Sequence, residues 1–142
     1  MALKDYAPSP AVLPVDGIGR HCIVNTRIDF SAVPLGASDT AKILEIKGGW
    51  EVKKVWTKIV TPEAAADTFG LGDSGGATGW DAAVPANAAA GTVASSTEGT
   101  DANATPGGKF YPADDYLLLT PSAELAQLVL DVAIEVVLPF PI

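Results

Sequence analysis

Residues Glu124–Pro139, ELAQLVLDVAIEVVLP, decide between a helical and an all-β reading of this chain. Leu125, Ala126, Leu128 and Ala133 favour a helix by propensity. Their order points the other way. Leu128, Leu130, Val132, Ile134 and Val136 recur at every second position, with Val129, Asp131, Ala133, Glu135 and Val137 between them. A helix would scatter that set around its circumference, whereas a strand gathers it on one face. Valine and isoleucine dominate the second half, and their branched Cβ suits a pleated surface. Pro139 and Pro141 stop the run. A strand is predicted from about residue 126.

Period two recurs upstream. In HCIVNTRIDF (21–30), Cys22, Val24, Thr26, Ile28 and Phe30 alternate with Ile23, Asn25, Arg27 and Asp29, as in a half-buried strand with a polar outside. AKILEI (41–46) is a second strand, closed by Gly48-Gly49. WEVKKVWTKIVT (50–61) is a third, ended by Pro62. Its faces read Val52, Lys54, Trp56, Lys58, Val60 against Glu51, Lys53, Val55, Thr57, Ile59, and neither is cleanly apolar. AADTFGLGD (65–73) adds a fourth strand, with Phe69 and Leu71 on one face; KFYP (109–112) and DYLLLTP (115–121) add two short ones. Residues 73–108, rich in Ala, Gly, Ser, Thr, Asp and Asn, read as a long loop anchored by Trp80 and Val93. That loop has room for at most one short strand, GTVASST (91–97), or a helical turn at PANAAAG (85–91). Seven or eight short strands between Gly, Pro and Asp turns predict an antiparallel β-sandwich or jelly roll.

Residues 1–20 read as an extended proline-rich arm. Pro8, Pro10 and Pro14 each fix φ and remove a donor, yet Tyr6, Val12, Leu13, Val15 and Ile18 are apolar. Such a segment suits docking on another surface, because proline already restricts the free chain. The predicted organisation is an arm at 1–20, a sandwich domain at 21–138 with the long loop at 73–108, and a tail at 139–142 carrying Phe140 and Ile142.

The totals bound the function. A chain of 142 residues makes one domain that buries roughly two thirds of its unfolded surface. No run approaches the ~20 apolar residues of a membrane span, and MALKDYAPSPAVLPVDG does not read as a signal peptide. Cys22 is the one cysteine, which excludes a disulfide framework and a thiolate metal cluster; it reads as a small core residue. The net charge of −8 is uneven: residues 1–61 hold eight Lys/Arg against six Asp/Glu, residues 62–142 only Lys109 against eleven. An acidic surface repels phosphate backbones, so nucleic acid is not an expected partner.

Gly72-Asp73-Ser74-Gly75-Gly76 spells the letters around a trypsin-like serine. Such a serine needs a histidine base and an orienting aspartate. His21 is the one histidine, and His21, Asp29 or Asp39, and Ser74 can only be forced into the required order. Two six-stranded barrels do not fit in this length, and Ala77 stands where the motif usually has proline. The glycines instead suit a tight turn in which Asp73 and Ser74 bind backbone donors. No catalytic residue is expected.

Weaker candidates have plainer readings. Asp73, Asp81, Asp114 and Asp115 match no calcium-loop spacing and read as solvated turn carboxylates. Asn103-Ala104-Thr105 is a sequon spoiled by Pro106. Trp50, Trp56 and Trp80 are either core residues or a carbohydrate platform. Lys53, Lys54 and Lys58 read as the lysines of a protected edge strand, or as a docking patch for an acidic neighbour. No cofactor or metal is expected.

One ordered set goes beyond composition. An N-terminal arm is followed by NTRIDF (25–30), AKILEIKGGWEVKKVWTKIVTPE (41–63), DTFGLGDSGGATGWDAAVPANAAAGT (67–92) and GGKFYPADDYLLLTPSAELAQLVLDVAIEVV (107–137). This series resembles small β-sandwich structural proteins of tailed bacteriophages, of the head decoration or cement type, over about residues 23–137. The resemblance implies a virion component made in the host cytoplasm and carried on the outer capsid surface. It would bind the major capsid protein, bridge its subunits and act as a homotrimer, without membrane or nucleic-acid contacts. Tyr6, Pro8, Pro10, Val12, Leu13, Pro14, Lys53, Lys54, Lys58, Phe140 and Ile142 are the expected partner-binding residues. The alternatives are a tail or fibre component and a carbohydrate-binding host-recognition module.

Overall fold

The computed structural model describes residues 3–6, 21–96 and 108–138, with His21 by its backbone alone. These residues form ten strands and no helix: β1 (Leu3–Asp5), β2 (His21–Asp29), β3 (Thr40–Ile46), β4 (Glu51–Thr61), β5 (Thr68–Asp73), β6 (Gly76–Pro85), β7 (Val93–Ser96), β8 (Lys109–Phe110), β9 (Asp115–Pro121) and β10 (Val129–Val137). One sheet runs β1-β3-β9-β5-β6 and the other β2-β10-β4-β7, with β8 also pairing β4. All pairings are antiparallel except β1 on β3.

The deciding stretch is a strand. β10 lies between β2 and β4, and Leu130, Val132, Ile134 and Val136 turn inward with no exposed surface. It begins at Val129, three residues later than expected from about 126. The reason lies in the buried Glu63, whose carboxylate accepts the amides of Ala126, Gln127 and Leu128 and so takes them out of any ladder. The inner face of β10 packs with Ile28 and Phe30 from one flank and Val52, Val55 and Ile59 from the other. The opposing layer supplies Ile43, Leu44, Phe69, Leu71, Leu117 and Leu119.

The mixed faces of β4 have a physical cause. Glu135 faces Lys54 and Val136 faces Val52, leaving Lys53 unmatched in a bulge. The extra residue reverses the alternation, so buried Val52 joins Val55, Thr57 and Ile59 on the inner face. A second register shift removes Val60 from the pattern. The expectation of an edge strand is corrected: β4 pairs β10 on one side and β7 and β8 on the other. Its lysines therefore do not serve as edge protection.

The long loop expected at 73–108 is corrected as well. GATGWDAAVP forms β6, paired with β5 through a tight hairpin. Only Trp80 and Val84 mark its inner face, too sparse a signal among glycine and alanine. PANAAAG holds turns rather than a helix, and β7 lies within the short strand expected at 91–97. Cys22 is half-buried rather than a core residue.

Candidate interaction surface

The GDSGG turn joins β5 to β6, and its side chains brace one end of the sandwich. Asp73 is 2% exposed. Its Oδ2 accepts hydrogen bonds from Lys109 Nζ at 2.6 Å and Tyr111 Oη at 2.7 Å, and its Oδ1 accepts the Gly75 amide at 2.9 Å. Trp80 Nε1 donates to Tyr111 Oη at 3.1 Å, and Ser96 Oγ donates to the Trp80 carbonyl. Burial raises the Asp73 carboxyl, but the bonds from Lys109, Tyr111 and Gly75 outweigh it and hold the group below the ordinary carboxylate range. Burial, helped by the Asp73 bond, pushes the Tyr111 hydroxyl far above its usual value. Gly72 is required by space, since a Cβ there would lie 2.0 Å from the Gly76 carbonyl oxygen.

Ser74 Oγ donates to Asp115 Oδ2 at 2.7 Å, and its amide reaches Oδ1 at 3.3 Å. The forced triad is not assembled: Asp29 accepts from Ser31, Asp39 pairs with Lys4, and His21 opens β2 in the other sheet. Of the carboxylates expected in turns, Asp81 lies in β6 and accepts the Ala83 amide, and Asp114 accepts the Gly48 amide. Among the described residues no group of three His, Cys, Asp or Glu is placed to hold a metal ion.

The outer face of β2-β10-β4-β7 carries a groove of about 560 Å3. Register explains it. Asn25, Ala133 and Trp56 form one cross-strand row, flanked by Arg27, Asp131 and Lys58 on one side and Ile23, Glu135 and Lys54 on the other. The methyl of Ala133 leaves a low floor between taller neighbours. Val93 of β7 and Ile23 of β2 wall the groove at 60% and 52% exposure. Arg27 grips Asp131 with two bonds, Nε to Oδ1 at 2.6 Å and Nη2 to Oδ2 at 2.9 Å, which hold the Asp131 carboxyl below its usual range.

This face gathers part of the expected lysine stripe. Lys54 and Lys58 bracket the half-buried Trp56, with Lys54 Nζ 5.1 Å from its ring. Lys53 sits in the bulge and pairs with Glu51 at 3.1 Å. Of the three tryptophans, Trp50 and Trp80 are core residues and only Trp56 borders the groove. Sequence reasoning missed Asn25, Arg27, Asp131 and Ala133 as groove residues. The signal available was the polar face of β2, which had no assigned partner.

Tyr6 does not line that groove. Its amide donates to the Lys42 carbonyl at 2.9 Å, its hydroxyl donates to the Val33 carbonyl at 2.8 Å, and its ring meets Phe30 edge-on at 5.3 Å. The other expected arm and tail residues, Pro8, Pro10, Val12, Leu13, Pro14, Phe140 and Ile142, lie outside the described residues.

No protein-family model matches the chain, and no curated protein does. Solved structures do. The chain is similar to one in the structure titled "Capsid of Ralstonia phage GP4", at 17% identity and a TM-score of 0.69, over 99% of this chain and 100% of that one. It is also similar to a chain of the "Cyanophage Pam1 capsid asymmetric unit", at 17% identity and a TM-score of 0.59, over 93% and 96%. At that identity the likeness is one of fold: this all-β, two-sheet architecture is that of chains found in two phage capsids.

Proposed function

We propose that the protein is a structural component of a phage virion, a decoration or cement protein on the outer surface of the head that bridges major capsid protein subunits. The observation carrying this reading is the end-to-end correspondence of this chain with a chain of a phage capsid. The site chemistry agrees with it: the catalytic-looking Ser74 is bound to Asp115, and the Asp131 carboxylate on the concave face is taken up by Arg27. Docking would use the Trp56 groove with Lys54 and Lys58, together with the proline-rich arm at Pro8, Pro10, Val12, Leu13 and Pro14 and the tail at Phe140 and Ile142. Each side chain buried there contributes roughly 1.5–3 kcal/mol by area, less ordering costs. A trimer repeated over a shell adds avidity to a modest single-site affinity. The test is co-sedimentation of purified protein with undecorated heads of its phage, followed by a low-resolution reconstruction. Extra density on the shell is expected; density on the tail, or none, overturns the reading.

A second reading, a glycan-binding module on the particle, is favoured by one observation. Trp56 borders an open groove with Asn25, Arg27 and Asp131 beside it, an aromatic with planar polar groups. Tryptophan fluorescence that stays flat across a glycan panel removes it.

A further inference from the structure

The N-terminal residues occupy a discrete socket. β1 lies parallel on β3, pairing Leu3 with Thr40, Lys4 with Ala41 and Asp5 with Lys42. Beyond the ladder, Lys4 Nζ donates to the Pro34 carbonyl at 3.2 Å and pairs with Asp39 at 3.1 Å. Tyr6 adds its bonds to the Lys42 and Val33 carbonyls and its ring contact with Phe30. Four residues thus carry backbone, charge and aromatic recognition. The side chains the socket holds are those of Lys4 and Tyr6, while Leu3 is 54% exposed and joins through its backbone.

The connection back to the domain is longer than in-chain closure needs. Tyr6 packs on Phe30, which follows the last residue of β2, while the chain must re-enter at His21, the first residue of β2. At about 3.3 Å per residue, those two points are about 30 Å apart. Fifteen residue steps separate Tyr6 from His21, and extended chain covers about 50 Å in that number. A domain of this size is about 35 Å across. The same tether therefore reaches the socket of a copy lying alongside.

We propose that β3, with Phe30, Val33, Pro34 and Asp39, is an interaction surface for a second copy of this chain, which inserts its own residues 3–6 as β1. Exchange replaces each contact by an identical one, so its enthalpic cost is small and concentration decides the outcome. A short tether holds its own strand at an effective concentration in the mM range, so in-chain closure dominates in dilute solution. Copies crowded on a surface reach the same range, and there exchange links neighbours into a continuous net. Only that last step rests on the capsid reading; exchange itself belongs to the chain.

The test traps the strand pair in free protein. Asp5 and Lys42 are register partners, within disulfide reach for adjacent strands. Asp5→Cys and Lys42→Cys are combined with Cys22→Ser in the full chain, oxidised at about 10 μM, far below the tether's effective concentration, and at about 5 mM, within its range. Products are read on a non-reducing gel. The expected result is a cross-linked single chain at low concentration, and covalent dimers and larger species at high concentration. The single-cysteine controls set the background from random collision. Single-chain product at both concentrations overturns exchange. Absence of any cross-link overturns the socket. Neither result depends on capsid binding, so failure here is distinguishable from failure of the proposed function.

Discussion

Lys109 Nζ lies 2.6 Å from Asp73 Oδ2, and the two residues belong to different sheets. Asp73 ends β5; Lys109 opens β8, the two-residue strand that pairs β4. Their ion pair, with Tyr111 and Trp80 behind it, fastens the layers where the apolar core runs out. Replacing Lys109 with Met leaves the buried carboxylate without its cation. Breaking such a pair costs about 3 kcal/mol, at the low end because Lys109 keeps some contact with water. Urea unfolding monitored by circular dichroism checks it, and an unchanged midpoint would show the bridge to be idle.

Acid should loosen this end of the molecule. The Asp73 carboxyl sits lower in the folded state than in the unfolded chain, so it contributes stability above about pH 4, which is lost as the pH falls through the folded value. Asp131 acts in the same direction through Arg27. Tyr111 has the opposite sign: its raised hydroxyl contributes stability that is complete below about pH 10 and lost as the pH rises beyond it. Melting temperatures are expected to fall on both flanks. Asp73→Asn should flatten the acid flank and Tyr111→Phe the alkaline one. Parallel profiles for wild type and variants would refute this assignment.

Gly72 carries no tolerance for a side chain. Gly72→Ala places a methyl against the Gly76 carbonyl oxygen, 2.0 Å away, and against Ala77. The β5–β6 hairpin must open, at a cost of roughly 4 kcal/mol or more, in the range of the most damaging single substitutions. Gly49→Ala, with nothing near its Cβ but a positive φ of 95°, should cost about 1 kcal/mol by comparison. Thermal denaturation of the two variants side by side orders them.

The groove makes its own prediction. Ala133→Lys raises the floor between Asn25 and Trp56 on a solvent-facing position, so stability should change by about 0.5 kcal/mol or less. Binding to undecorated heads should weaken at least about tenfold, equivalent to about 1.4 kcal/mol. Full binding by a folded variant would move the docking surface elsewhere.

Quenching separates the tryptophans. Trp50 and Trp80 are 3% and 2% exposed, and Trp56 borders the groove. Acrylamide should quench one emitting population, and Trp56→Phe should remove it while leaving the blue-shifted emission. Equal quenching of wild type and variant would contradict the burial described.

The all-β class, the placing of most strands and the inner face of β10 were legible in the residue order, because a half-buried strand writes its burial into the chain at period two. That is why Leu130, Val132, Ile134 and Val136 could be named before any coordinates. Tertiary structure decided what is not written locally. The bulge at Lys53 depends on the register with β10, and it alone turns Val52 inward. β6 exists because β5 offers a ladder to a segment with little pattern of its own. The clamp of Asp73, Tyr111 and Lys109, and the row of Asn25, Ala133 and Trp56, join residues far apart in sequence. Their spacing along the chain has no period to detect, since the hydrogen bonds that align them form between strands and not within one.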